Sequence, residues 1–196
     1  LKDRLYTTAP KSLARRSAQT ALYQITQAML RWMAPFLSFT AEEAWKVIGN
    51  SESIFMETYW NFPPLPVGEG RGEGELLAKW SRIREIRDAV NKDIETLRAD
   101  GKVGSSLQAN VALTVGDTDH ALLASLGEDL KFVFITSAIE LMGGKDVAIK
   151  VSPSSAVKCE RCWHYRDDVG HDPAHPTICG RCTSNLFGPG EQRKFA

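Results

Sequence analysis

No sign of charge prevails in this chain: 24 basic residues meet 24 acidic ones among 196. A basic coat that binds nucleic acid over the whole surface is therefore excluded, and so is an acidic tail, although local patches are not. No apolar run approaches the roughly 18–20 residues that span a bilayer, and no secretory leader pattern opens the sequence. There is no internal repeat. Cysteine is scarce, and its placement excludes a secreted disulfide scaffold: all four lie between positions 159 and 182. With 43% hydrophobic and 24% charged residues the chain has an ordinary globular composition, so bulk disorder is not expected. The first residue is Leu1, not Met, and the chain reads as a piece of something longer.

The neutral total conceals segments of opposite sign. Residues 1–48 carry seven basic against three acidic groups, and residues 79–104 carry seven against five. Residues 12–34 read as an amphipathic helix with Ala14, Ala18, Leu22, Ile25, Met29 and Trp32 on one face and Arg16, Thr20, Gln27 and Arg31 opposite. Pro35 ends or kinks it. A second helix is expected from Thr40, where Thr40 and Glu43 match a capping box, to Gly49. Proline and glycine crowd 61–74 and mark a loop.

Leu76, Trp80, Ile83, Ile86, Val90, Ile94 and Leu97 then form a long helical stripe, closed by Asp100-Gly101. Beyond it the period shortens. Residues 107–115 alternate in part, 120–127 suit a short helix, and 131–136 and 146–151 are apolar, β-branched runs that read as strands. The fold class expected is mainly α with a small α+β part. Its divisions are the end of a helical bundle (1–62), a linker (63–74), a long junction helix (75–104), a small α+β unit (105–152) and a four-cysteine zinc-binding tail (153–196).

Cys159, Cys162, Cys179 and Cys182 are spaced C-x2-C-x16-C-x2-C, within the range of four-thiolate zinc sites. Each pair turns two sulfurs toward one ion, and a tetrahedral Zn²⁺ needs two such turns. Four thiolates leave no open position for activating water, so one structural zinc is expected and no catalytic metal. A redox pair or a disulfide cross-link is the alternative, but a redox C-x-x-C opens a helix after a strand, and nothing around Cys159 reads so. His164, His171 and His175 read as loop histidines beside an already complete ligand set. Trp163 either stacks on an unpaired base or roofs the small zinc core, and both readings stand. Arg161 and Arg181, inside the two pairs, are candidates for nucleic-acid contact. So are Arg15, Arg16 and Arg31 on the first helix and Arg84, Arg87 and Lys92 on the long one. The competing use of each is a solvated face or an ion pair such as Asp88–Lys92.

Together these residues resemble a known family. LKDRLYT (1–7), SLARRSAQTALYQI (12–25), RWMAPFLSFTAEEAW (31–45), KVGSSLQANVAL (102–113), VKCERCWHY (157–165), CGRC (179–182) and EQRKFA (191–196) are similar to the C-terminal region of bacterial isoleucyl-tRNA synthetases. Pro35-Phe36 followed by Glu42-Glu43 and Trp45 is shared with the valyl and leucyl relatives, whereas Trp163 after Cys162 points to the isoleucyl enzymes.

The resemblance implies the end of an anticodon-binding bundle and a zinc tail that engage the anticodon side of tRNA(Ile). The parent it implies is a monomeric, cytoplasmic ligase that joins isoleucine to tRNA at the expense of ATP with Mg²⁺, without a membrane. The family's HIGH and KMSKS motifs do not occur in these 196 residues. No catalytic residue is therefore expected, and ATP and Mg²⁺ belong to the parent's catalytic core. Two other readings remain at this stage: the similar zinc finger of a DNA glycosylase, and a zinc ribbon that binds protein.

Overall fold

The computed structural model describes residues 1–63 and 73–195. The expected linker at 63–74 falls mostly on 64–72, outside the described residues. The chain forms two units: Leu1–Arg15 with the described part of Arg71–Ala196, and the described part of Arg16–Gly70.

The larger unit is built on helix α4 (Glu73–Ala99) and a three-stranded sheet. Ile83, Ile86, Val90 and Ile94 recur every three or four residues and are all buried, as their periodicity requires, while Leu76 in the first turns stays exposed. Gly101, at φ +73°, closes the helix in the left-handed conformation that glycine adopts without strain. Strand β1 (Ala109–Val115) alternates strictly between buried and half-buried positions. It lies at the centre of the sheet, parallel to β2 (Ala138–Gly143) and antiparallel to β3 (Ala148–Pro153). A parallel pair needs a crossover, and α5 (Asp117–Ala124) with α6 (Leu130–Phe134) supplies it. Val111 faces Ile139 and Val151, and Leu113 faces Leu141 and Ile149, so one register serves both neighbours.

The strand expected at 131–136 is a correction. Leu130 and Phe134, four apart, both reach the core as one helical face, and Ile135 at φ +57° ends the turn. A short apolar run fits either period, and here burial of the i, i+4 pair decides. The strand follows instead at Ala138. Residues 1–15 contribute α1 (Lys2–Tyr6) and the first turn of α2 (Leu13–Met33). The cysteine tail contributes a two-stranded ribbon, β4 (Val157–Lys158) with β5 (Tyr165–Arg166), and helix α7 (Gly180–Phe187).

The smaller unit holds the rest of α2, helix α3 (Ser38–Val47) and a single 3₁₀ turn at Ile54–Met56. Leu30, Ala34, Ala41, Trp45 and Ile54 form its core. Two expectations fail here. The helix starts at Ser38, because the amides of Phe36 and Leu37 still bond to the Met33 carbonyl and the chain re-enters helix directly. Thr40 thus lies inside the first turn, and no side chain caps α3. The α2 stripe is also turned: Ile25, Met29 and Trp32 are about half exposed, while Gln27 and Arg31 are buried. Trp45 and Trp60 arrive on the Arg31 side, where the guanidinium carbon lies 4.5 and 4.9 Å from their ring centroids.

Candidate metal centre and nucleic-acid face

The β4–β5 ribbon makes the first cysteine pair its turn. Cys159 donates its amide to the His164 carbonyl (2.9 Å), and the Trp163 amide returns to the Cys159 carbonyl (2.9 Å). In the second pair, Cys179 precedes α7 and Cys182 lies in its first turn. All four sulfurs come within 4.8 Å of one another and all four residues are buried. Cys159 and Cys182 are separated by 3.7 Å between sulfurs, and Cys162 and Cys179 by 3.8 Å. Zn–S bonds of about 2.3 Å in a tetrahedron place sulfurs about 3.8 Å apart, so the cluster has the dimensions of a zinc tetrathiolate. The Cys179 amide also points at the Cys159 sulfur (3.4 Å), a contact that stabilises thiolate.

Four adjacent thiols cannot all lose protons without a cation. The Cys162 thiol is pushed up, chiefly through its bond to Cys179, then through Cys182 and by burial. Cys182 is pushed up to about 12: the downward pull of Cys162 is outweighed by Cys179 and burial. Cys179 is driven down by bonds from Cys162 and Cys182. A dication bound among the four sulfurs replaces their protons and relieves this crowding of charge.

No histidine nitrogen joins the cluster among the described residues. His164 is buried, and burial lowers its pKa. Its Nδ1 lies 3.1 Å from the Cys162 carbonyl and its ring meets Phe132 edge-on at 5.4 Å. His175 stacks flat on Phe187 at 4.1 Å. Both therefore act as packing groups.

The candidate nucleic-acid residues fall into two sets. Three of the arginines are committed within the protein. Arg31 pairs with Glu57 at 2.7 Å and bonds to Gln27. Arg161 donates to the Tyr6 and Thr7 carbonyls (3.1 and 2.8 Å). Arg181 pairs with Asp3 and Glu191 (2.6 and 2.8 Å). Each of these three guanidinium groups thus already holds oxygen partners within the protein, which compete with any phosphate contact. Arg16, Arg84 and Lys92 are exposed, Arg15 and Arg87 half-buried, and none of the five forms an ion pair among the described residues. Arg84 reaches only Ser81 (3.4 Å). The Asp88–Lys92 pair is not among the ion pairs formed by the described residues.

Trp163 is different from all of these. It is 60% exposed, so it does not roof the zinc core, and its backbone sits at φ +65°. A side-chain-bearing residue in that region is strained by about 1–2 kcal/mol. Lys158 places its ammonium 5.5 Å from the indole centroid. The sequence does not single out Lys158, because its approach to the indole follows from the β4–β5 pairing with Tyr165, which only the fold supplies.

Comparison with known proteins follows the same division. The family model of the anticodon-binding domain of tRNA ligase matches residues 1–113, and that of a zinc finger found in FPG and IleRS matches residues 158–185. The whole chain aligns with isoleucine--tRNA ligase of Ralstonia pickettii at 61% identity, of Cupriavidus necator at 53% and of Thiobacillus denitrificans at 52%. The chain spans about a fifth (21%) of the length of each of these relatives.

Proposed function

The chain belongs to the family of the anticodon-binding domain of tRNA ligases, and from that premise we propose that it is the anticodon-side, tRNA-holding portion of an isoleucine--tRNA ligase. On this reading it positions tRNA(Ile) while an upstream core, with ATP and Mg²⁺, attaches isoleucine in the cytoplasm. The intact enzyme acts as a monomer. One Zn²⁺ is held by Cys159, Cys162, Cys179 and Cys182, where it fixes the two turns and takes no part in chemistry. No helix among the described residues is long and apolar enough to cross a membrane. The glycosylase and protein-binding ribbon readings account for the finger alone and leave the match over residues 1–113 unexplained.

The observation that carries the binding role is Trp163. A strained, exposed indole on a knuckle whose geometry the metal sets loses little freedom when a base stacks on it. Stacking on an aromatic contributes about 1–3 kcal/mol per base, or roughly 5- to 150-fold in affinity. Lys158 beside it suits the adjoining phosphate, and Arg15, Arg16, Arg84, Arg87 and Lys92 are the further cations available to the backbone.

Trp163→Gly is the discriminating variant, because glycine suits φ +65° and relieves the strain. tRNA binding should weaken by the stated factor while zinc content stays at one per chain and thermal stability does not fall. Unchanged tRNA affinity with intact zinc would rule the stacking role out.

A further inference from the structure

Helix α1 is five residues long and buries none of them, so it cannot hold itself. Its order comes from the cysteine tail. Arg161 donates to the Tyr6 and Thr7 carbonyls (3.1 and 2.8 Å), the end of α1 where free carbonyls gather. Arg181 grips the Asp3 carboxylate with both terminal nitrogens (3.0 and 2.6 Å). Each of these arginines immediately precedes the second cysteine of its pair, so a metal that fixes the sulfurs also fixes the guanidinium groups. From α1 the chain of contacts continues: Arg4 donates to the Ala14 carbonyl (2.8 Å) in the first turn of α2.

Residues 191–195 close over the same place. Glu191 accepts two bonds from Arg181 (both 2.8 Å) and one from Asn185 (3.0 Å). Arg193, with only 2% of its side chain exposed, reaches Asp3 (2.8 Å) and Asp129 (3.1 Å). The amides of Lys194 and Phe195 both donate to Asp129 (2.8 and 2.6 Å). Phe132 lies beneath both guanidinium groups, its centroid 4.5 Å from Arg181 and 3.5 Å from Arg193. Buried charges of this kind add little net stability over apolar residues, but removing one partner is strongly unfavourable, so they enforce a single arrangement.

We propose that this network is a metal-dependent clamp: zinc at the four cysteines sets Arg161 and Arg181, and these, strapped by residues 191–195, hold α1 and the start of α2 in place. The clamp rests on the zinc assignment made above. Its role is to pass metal occupancy to a segment more than 150 residues away in sequence.

The test is amide hydrogen exchange in the zinc-loaded protein, with zinc measured on the same sample by elemental analysis. Its reporters are Leu5 and Thr7, whose amides bond to the Leu1 and Asp3 carbonyls (3.1 and 2.8 Å), and β1 provides the reference. Removing zinc with EDTA under reductant should speed exchange at Leu5 and Thr7 by about tenfold or more while the β1 amides stay protected. Arg193→Gln, with zinc retained, should do the same. If that variant loses its metal, Asp3→Asn decides, since Asp3 lies on α1 and outside the segment that carries the cysteines. Unchanged exchange at Leu5 and Thr7 after zinc removal, or in a zinc-retaining variant, would overturn the clamp, and so would an equal loss of β1 protection. A protein that never binds zinc when purified anaerobically would instead overturn the zinc assignment itself.

Discussion

The two units solve the same problem with different materials. In the larger one, twelve apolar residues from α4, β1 and the crossover helices close a continuous core, and a second cluster of four cysteines stands apart from it. In the smaller one, five residues form the core, and much of the order around it comes from Arg31, clasped by Glu57, Gln27, Trp45 and Trp60. Meanwhile Tyr23, Trp32, Phe36 and Phe39 keep about half or more of their surface in solvent. A helical stripe in sequence thus announces a face that wants cover; which neighbour supplies the cover is a separate, tertiary fact.

The largest effect expected from this contrast is metal removal. A structural zinc contributes on the order of 10–16 kcal/mol in small peptide modules. Chelation under reductant should therefore unfold residues 157–187, seen as loss of their exchange protection, while α2 and α3 keep their helical circular dichroism. Loss of helicity in α2 and α3 along with the metal would break the comparison, because it would make the smaller unit depend on a site to which it contributes no ligand.

Next in size is a pair of truncations. Phe134 and Trp45 are the large aromatic anchors of their respective cores. Each should lose about 3–5 kcal/mol as alanine, from transfer and cavity terms together. Urea unfolding followed separately in each unit should show Phe134→Ala acting only on the sheet and Trp45→Ala only on α3. Effects that appear in both units would show them to be one cooperative block.

How far the sequence discloses these regions differs in the same way. The α4 stripe from Ile83 to Ile94, strand β1 and the cysteine quartet are legible because periodicity or spacing states the geometry outright. The α6 turn is not, since KFVFIT satisfies strand propensity and only the joint burial of Leu130 and Phe134 selects helix. The partners of the arginines are hidden in the sequence for a related reason. A basic residue reads alike whether it faces water or an acid 178 positions away, as Arg181 faces Asp3. Trp163 could be placed beside the metal, but its positive φ and its exposure belong to the folded knuckle.

A smaller effect is expected at Arg31. Arg31→Met keeps most of the aliphatic packing on Trp45 but removes the Glu57 pair and the bonds to Gln27. Hydrogen bonds to charged groups are worth about 1.5–3 kcal/mol, and Glu57 can return to water because its side chain is 35% exposed. The loss should therefore lie near the lower end, about 1–2 kcal/mol by urea unfolding. tRNA affinity at low temperature, where the variant is folded, should be unchanged. A fall in affinity without a fall in stability would return Arg31 to the nucleic-acid face and blur the distinction between the units.

The smallest expected effect is a pH dependence that belongs to the smaller unit alone. Glu42, on α3, accepts the Ile54 amide (2.9 Å) and the Ser53 hydroxyl (3.1 Å), and it pairs with Lys46 at 3.3 Å. The Ile54 amide is the main cause that holds its carboxyl below the usual glutamate range; desolvation opposes it, and Ser53 and Lys46 assist. A carboxyl depressed in the folded state stabilises fully above its unfolded pKa, near 4.3, and the contribution disappears as pH falls through the lower folded value. About a fifth of the Glu42 side chain (20%) stays in solvent and Lys46 is exposed, so the effect is slight and salt weakens it further. Wild type and Glu42→Gln should then differ in the melting of α3 at pH 6 and converge as the pH is lowered below about 4. A difference that persists at pH 3 would mean that Glu42 holds the 3₁₀ turn by shape and not by charge.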